Sequence, residues 1–221
     1  AKILAVIGAI NGVAPVAAPV IGGLLTGSVG WQGIFMILLF IGILLGIGCI
    51  RFKESLPAEK RSKTGVWATF RSFGIIVHNR RYMLYVFQLA FAQGILFAYI
   101  ASSPFIIQQH YGFSPFAFSI CFAVNAVAIG VAAALSVKFR RTENGTLTGC
   151  VGMLVFAVLQ MAALYSGCGF WTYELLMFAL LFMMGLTFTA STTLAMDCER
   201  RYAGAASALL GALCFASGGI V

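Results

Sequence analysis

Amides, hydroxyls and carboxyls set inside long apolar runs are the side chains of this sequence with chemistry to perform. Each must find a partner or a water-filled cavity when hydrocarbon surrounds it. Gln88, Gln93, Tyr99 and Ser103 fall in the run Met83–Ile107, and Asn125 falls in Phe116–Val137. Asn125 is the sharpest of them, a carboxamide with donors and an acceptor among Ala and Val neighbours. Each group fits a hydrogen bond between helices, worth about 0.6 kcal/mol on average, as well as it fits the wall of a solute path. Phe87 and Phe91, with Tyr99, add flat apolar faces on which an aromatic ligand can stack.

Other polar positions have plainer explanations. Thr187, Thr189, Ser191, Thr192 and Thr193 crowd one end of the run Tyr173–Ala195, where hydroxyls bond back to carbonyls one turn earlier and bend a helix. Glu174 opens that run, and an acid at a helix N-terminus is favoured by the helix dipole, which we prefer to a role at a channel mouth. Asp197, Glu199, Arg200 and Arg201 form a mixed-charge loop, which reads as solvated, with pairing within it the other reading. His78 and His110 stand apart, so the clustered His/Asp/Glu constellation of a membrane enzyme is missing. The six cysteines are spread singly and carry neither metal-ligand nor redox spacing, which leaves them as small apolar fillers.

The elements that hold these groups follow from composition. Of the 221 residues 61% are hydrophobic and only 9% charged, whereas soluble domains carry roughly 25% charged residues. Lipid is the solvent that tolerates such a surface. Crossing about 30 Å of hydrocarbon takes roughly 20 apolar residues in a helix. Seven runs meet or approach that length: Ile3–Leu25, Ile34–Ile50, Met83–Ile107, Phe116–Val137, Leu147–Tyr165, Tyr173–Ala195 and Ala203–Val221. The fold class is therefore all-α and polytopic in a membrane. The first run is too long for a signal peptide, and the chain reads as an excerpt of a longer one.

Charge checks the span count. All 14 Lys and Arg residues fall before the first run or after the second, fourth and sixth, while the segments Thr26–Gly33, Gln108–Pro115 and Ser166–Thr172 hold none. The positive-inside rule makes the basic side cytoplasmic. The net charge of +8 is thereby explained by topology, without nucleic acid as a partner. Most connections are short, but Arg51–Tyr82 is long and basic. Within it Trp67, Phe70, Phe73, Ile76 and Val77 recur at near-helical spacing, as in a helix lying at a membrane surface; a tethered linker without regular structure is the other reading.

In the first run, Pro15 and Pro19 stand four apart and are followed by Gly22 and Gly23, a pattern that should bend a helix and admit a close neighbour. With Ala18 at the usual glycine position, this string resembles the antiporter motif of the major facilitator superfamily's drug/proton antiporters. The Bcr/CflA (bicyclomycin-resistance) branch is the most similar. Gly30-Trp31-Gln32-Gly33-Ile34-Phe35 is similar to the family's Gly-Trp-Arg-x-x-Phe turn, and Glu54-Ser55-Leu56-Pro57 to its Glu-Thr-Leu-Pro. Ser103-Pro104-Phe105, Tyr111 to Pro115, and Phe122 to Asn125 resemble the branch's seventh and eighth helices. The string from Ala203 to Gly211 resembles the start of its eleventh.

The resemblance implies helices five to eleven of a twelve-helix, 6+6 fold. Residues 1–50 would close the first half, 51–82 would link the halves, and 83–221 would supply five helices of the second. It further implies multidrug efflux by drug/proton antiport in a bacterial-type inner membrane, by a monomer. The partners would be the lipid bilayer, small amphipathic drug-like compounds and protons, with a proton gradient and no organic cofactor as the driving force. Gln88, Phe91, Gln93, Tyr99, Ser103 and Asn125 would lie on cavity-facing helices. Gly204, Ser207 and Gly211 would pack the eleventh helix, and Gln160 would be a packing residue on a peripheral ninth. Much of the proton-coupling chemistry is expected on helices one to four. A membrane enzyme or a non-transporting scaffold is the competing reading.

Overall fold

The computed structural model describes residues 2–51, 66–136, 138–139 and 141–220, with side chains described from position 21 onward except at 23, 24, 26 and 66–70. Seven α-helices follow one another: α1 Lys2–Arg51, α2 Val66–His78, α3 Arg80–Pro104, α4 Pro115–Ser136, α5 Thr142–Tyr165, α6 Phe170–Cys198 and α7 Ala203–Ile220. Among the described residues there is no strand, and six helical stretches are long and apolar enough to cross a membrane. They are Gly27–Arg51, Arg80–His110, Pro115–Ser136, Thr142–Tyr165, Phe170–Cys198 and Arg200–Ile220. The expected run Ile3–Leu25 is helical in its backbone and lies mostly where side chains are not described.

The loop expected over Thr26–Gly33 is absent. Helix runs on both sides of a single break at Gly30, with φ 65 and ψ −179. A straight helix of 50 residues would be about 75 Å long at 1.5 Å per residue, far beyond the hydrocarbon core, so the chain has to be redirected here. One glycine suffices, because a left-handed φ costs it little. The redirection brings neighbours close: a Cβ placed on Gly33 would stand 2.5 Å from Val29 Cβ. Gly30→Ala should therefore cost about 1–2 kcal/mol, seen as a lower melting temperature of the purified protein. Gly42→Ala, at a helical site with open space around it, should not lower it. Equal melting curves for the two would contradict a break at Gly30.

α6 is the central helix, packed against α3, α4 and α5. Small residues let it approach closely, since lipid offers no hydrophobic drive and van der Waals contact has to hold the helices. A Cβ on Gly185 would lie 2.5 Å from the Ile129 carbonyl oxygen of α4, and one on Gly149 of α5 would lie 2.6 Å from the Met183 carbonyl oxygen of α6. Ala92, Tyr99, Met153, Leu180, Leu181 and Met184 form the core between α3, α5 and α6. Large apolar side chains such as Phe40, Leu84 and Leu154 point outward, as lipid-facing positions do.

α3 to α6 alternate in direction. At one end Tyr111, Phe118 and Phe170 gather around Ile107 and Tyr173. At the other, Asn79, Arg81, Tyr85, Glu143, Leu194, Asp197 and Cys198 line a cavity of about 370 Å³. The starts of α3 and α5 and the end of α6 thus share the end rich in basic residues. α2 forms over the expected amphipathic stretch and docks there, with Ile76 wholly buried against Tyr82, Val86, Ala195 and Ala206.

The packing expected at Gly204, Ser207 and Gly211 is made elsewhere on α7. Gly204 and Ser207 are exposed, and a Cβ on Gly204 or Gly211 would meet nothing within 4 Å. Instead Gly218 lies under the Phe97 ring, Ser217 Oγ donates to the Ala90 carbonyl at 2.7 Å, and Ala206 and Cys214 are buried. The i, i+3 and i+7 spacing of the expected set defines one helix stripe, and α3 sits against a different one.

Candidate functional site

Three helices meet at one carboxamide. Asn125 of α4 is wholly buried. Its Nδ2 donates to the Tyr99 hydroxyl of α3 at 3.0 Å and to Glu174 Oε1 of α6 at 2.9 Å. A primary amide can do this because its two N–H bonds point to different neighbours, which a hydroxyl cannot match. Tyr99 is held for the task by Phe122, one turn-face along α4, whose ring stacks on it at 5.4 Å and 18°. The tyrosine's position on the α3–α6 side follows from its place among Ala92, Leu181 and Met184 in the core.

Two oxygens of this knot, Asn125 Oδ1 and Glu174 Oε2, lack a hydrogen-bond partner among the described residues, as does the hydroxyl of the wholly buried Tyr173, the neighbour of Glu174 in α6. Unpaired polar atoms in an apolar interior are costly, about 1–3 kcal/mol each and more for a charged group. A run of them at one place marks somewhere that a proton or a polar ligand has something to bind.

The candidate residues divide by helix face. Ser103 lies one turn beyond Tyr99 on α3 and is wholly buried with its Oγ unpartnered. Gln88, three turns before Tyr99, shares its face, and both its amide atoms are shielded and make no hydrogen bond of ordinary geometry among the described residues. Gln88, Tyr99 and Ser103 thus form a polar line on the packed side of α3. Gln93 and Phe91 do not join it: Gln93 is half-buried and turned away by the helical register, and Phe91 is 75% exposed. Gly22 is half-buried, and Pro15, Ala18, Pro19 and Gly23 lie where side chains are not described. The backbone stays helical through both prolines.

Glu174 is the residue that sequence reasoning set aside. Its site near the start of α6 suggested a dipole contact, yet its carboxylate reaches across to α4. The signal was present in the spacing: Glu174 follows Tyr173 inside a run otherwise free of charge until Asp197. The threonine cluster behaves as its chemistry predicts, with Thr187, Thr192 and Thr193 donating to the carbonyls of Met184, Phe188 and Thr189. Gln160 is buried on α5 with both amide atoms unpartnered.

The opposite end carries a second set of cross-links. Asn79 caps α3 by accepting from the Arg81 and Tyr82 amides, and its Nδ2 donates to Glu199 Oε1 at 2.6 Å. The Tyr82 hydroxyl donates to the Ala206 carbonyl at 2.6 Å, fully buried. Asp197 pairs with Arg200 at 2.9 Å, and the Arg201 guanidinium lies 5.6 Å over the Tyr202 ring. Charges of this loop are thus both solvated and paired, with Arg200 and Asp197 exposed. Between α4 and α6, Val124, Val127, Val131, Phe178 and Phe182 help line an apolar cavity of about 320 Å³.

Residues 1–221 match the family model described as Major Facilitator Superfamily. The chain is 35% identical over 227 residues to the MFS-type transporter YdgK of Bacillus subtilis (strain 168), covering 100% of this chain and 56% of that protein. It is 27% identical over 234 residues to the bicyclomycin resistance protein homolog of Haemophilus influenzae, again 100% of this chain and 56% of the relative. The multidrug transporter MdfA of Edwardsiella ictaluri is 26% identical over 115 residues, 52% of this chain and 28% of that protein. The chain spans 56% of the length of each of the two relatives that match all of it.

Proposed function

We propose that this chain, which belongs to the Major Facilitator Superfamily and is an integral multi-pass membrane transporter rather than an enzyme, serves drug efflux as the later part of a twelve-helix Bcr/CflA-type antiporter. Its substrates are small amphipathic drug-like compounds, and an inward proton gradient drives their export without an organic cofactor. The protein works as a monomer in a bacterial-type inner membrane with its basic loops in the cytoplasm. Similarity to a bicyclomycin resistance homolog and to a multidrug transporter supports the efflux class.

The observation that carries the reading is the knot of Tyr99, Asn125 and Glu174, a polar centre shared by three helices inside an otherwise apolar bundle. Polar groups are expensive there and tend to mark ion and substrate pathways. Gln88 and Ser103 extend the polar line along α3, and the aromatic ring of Phe122 borders it. Exchange would follow from rocking of the two halves about a midplane cavity, with the knot toward the end of the bundle opposite the basic loops.

Everted membrane vesicles bearing the full-length protein test this. With a proton gradient established and a pH-sensitive dye present, adding an exported compound should release part of the gradient. A broad panel of compounds that moves no protons, with folded protein demonstrably present, would remove the antiport reading.

A further inference from the structure

We propose that Glu174, Asn125 and Tyr99 form a one-proton site within the membrane, at which Glu174 Oε2 takes up and releases a proton while Asn125 keeps hold of Oε1. No basic side chain pairs with this carboxylate among the described residues, and it sits within a membrane-crossing helix. The titratable groups that face it are Tyr99 from α3, Cys121 from α4 and its own neighbour Tyr173 on α6. Among the described residues Asn125 is the one side chain with a hydrogen bond to it.

Both protonation states have partners at hand. Ionised, the carboxylate accepts from Asn125 Nδ2 at 2.9 Å in the second turn of α6, toward the positive end of the helix. When one proton binds, the carboxylate becomes a neutral carboxyl and Oε2 becomes a donor. Asn125 Oδ1, which lacks a partner among the described residues, is an acceptor of the kind such a donor needs. A carboxyl and a carboxamide already joined by one N–H···O bond are arranged to close the pair when the Oε2–H donates to Asn125 Oδ1. Tyr99 keeps the amide oriented in both states, because it takes the other N–H bond and is itself fixed by Phe122. A hydrated metal cation is poorly matched, since Oε2 and Oδ1 are both shut off from solvent.

The site is testable without assuming transport. A hydrophobic carbodiimide attacks protonated carboxyls in apolar surroundings, and mass spectrometry locates the adduct. In vesicles bearing the full-length protein, Glu174 should be modified, and the modification should decline as pH is raised. Asn125→Ala should move the pH at which it declines, and Asn125→Gln should move it less. A folded protein in which Glu174 stays unmodified at every pH, or is modified equally at all of them, overturns the proposal.

The functional consequence rests on the antiport reading and separates from it. Glu174→Gln keeps the hydrogen-bonding shape but cannot titrate. The ratio of drug affinities at high and low pH, roughly 5- to 150-fold for coupling of ordinary size, should fall to one in that variant, with the protein still folded. Absent drug-driven proton exchange alongside pH-dependent modification of Glu174 would remove the antiport reading and leave the site standing. Intact exchange in Glu174→Gln, with no modification of the parent's Glu174, would do the reverse.

Discussion

Asn125→Ala is expected to lower the melting temperature of the purified protein and to change which compounds it exports. The amide supplies both donors of the central knot, at 3.0 Å to Tyr99 and 2.9 Å to Glu174. Alanine would leave the Tyr99 oxygen and both Glu174 oxygens without a protein donor in an apolar interior. One such orphan costs about 1–3 kcal/mol, and each kcal/mol is worth about 2–4 °C in a chain of this size. Drug resistance conferred by the full-length protein on a compound panel, at matched protein level, should then shift in pattern rather than fall uniformly. A lower melting temperature with an unaltered pattern would reduce Asn125 to a helix-packing bond, and no change in either would deny the knot.

The second large effect is expected at Gly185. A Cβ there would stand 2.5 Å from the Ile129 oxygen, 2.8 Å from Ala132 Cβ and 3.0 Å from Ile129 Cα. The obstacle is the backbone of α4, which cannot step aside as a flexible side chain does. Gly185→Leu has to push α4 away from α6, at a cost of about 3 kcal/mol or more. Ile129 is one helical turn from Asn125, so the same push opens the Asn125–Glu174 bond. The variant should yield little monodisperse protein on size-exclusion chromatography. Gly130→Ala, where the new methyl meets open space, is the matched control and should behave as the parent or slightly better. Similar yields for the two would mean that α4 and α6 are not in close contact at Gly185.

Much of this architecture is legible in residue type and order. Twenty-residue apolar runs and one-sided basic loops specify six of the crossings, because both signals are local and additive along the chain. The amphipathic spacing around Ile76 likewise foretells α2. What is hidden depends on who meets whom. Gly149 and Gly185 look like any other glycines until α6 is laid across α4 and α5. Gly204, Ser207 and Gly211 have the spacing of a packing stripe, but a Cβ on Gly204 or Gly211 meets nothing within 4 Å among the described residues. Asn125 can be singled out as a costly amide, yet its partner is 49 residues away. Glu174 was obscured because a helix N-terminus already accounts for an acid. Gly30 falls in the segment Thr26–Gly33 that two apolar runs leave between them and that therefore reads as a loop, whereas one residue of unusual φ does the whole job.

α3 is riveted to α6 twice, through Asn125 and Tyr99 near one end and through Asn79 and Glu199 at the other. Asn79 and Tyr99 are 20 positions apart, about 30 Å of helix. Two helices pinned at both ends behave as a stiff beam, so a tilt imposed at one rivet is delivered to the other instead of dissipating as bending. Beyond Tyr99 the beam ends: Pro104 and the π-helical turn Phe105–His110 interrupt the regular hydrogen bonding. Strain carried along the beam from its basic end would be relieved by flexing at that turn.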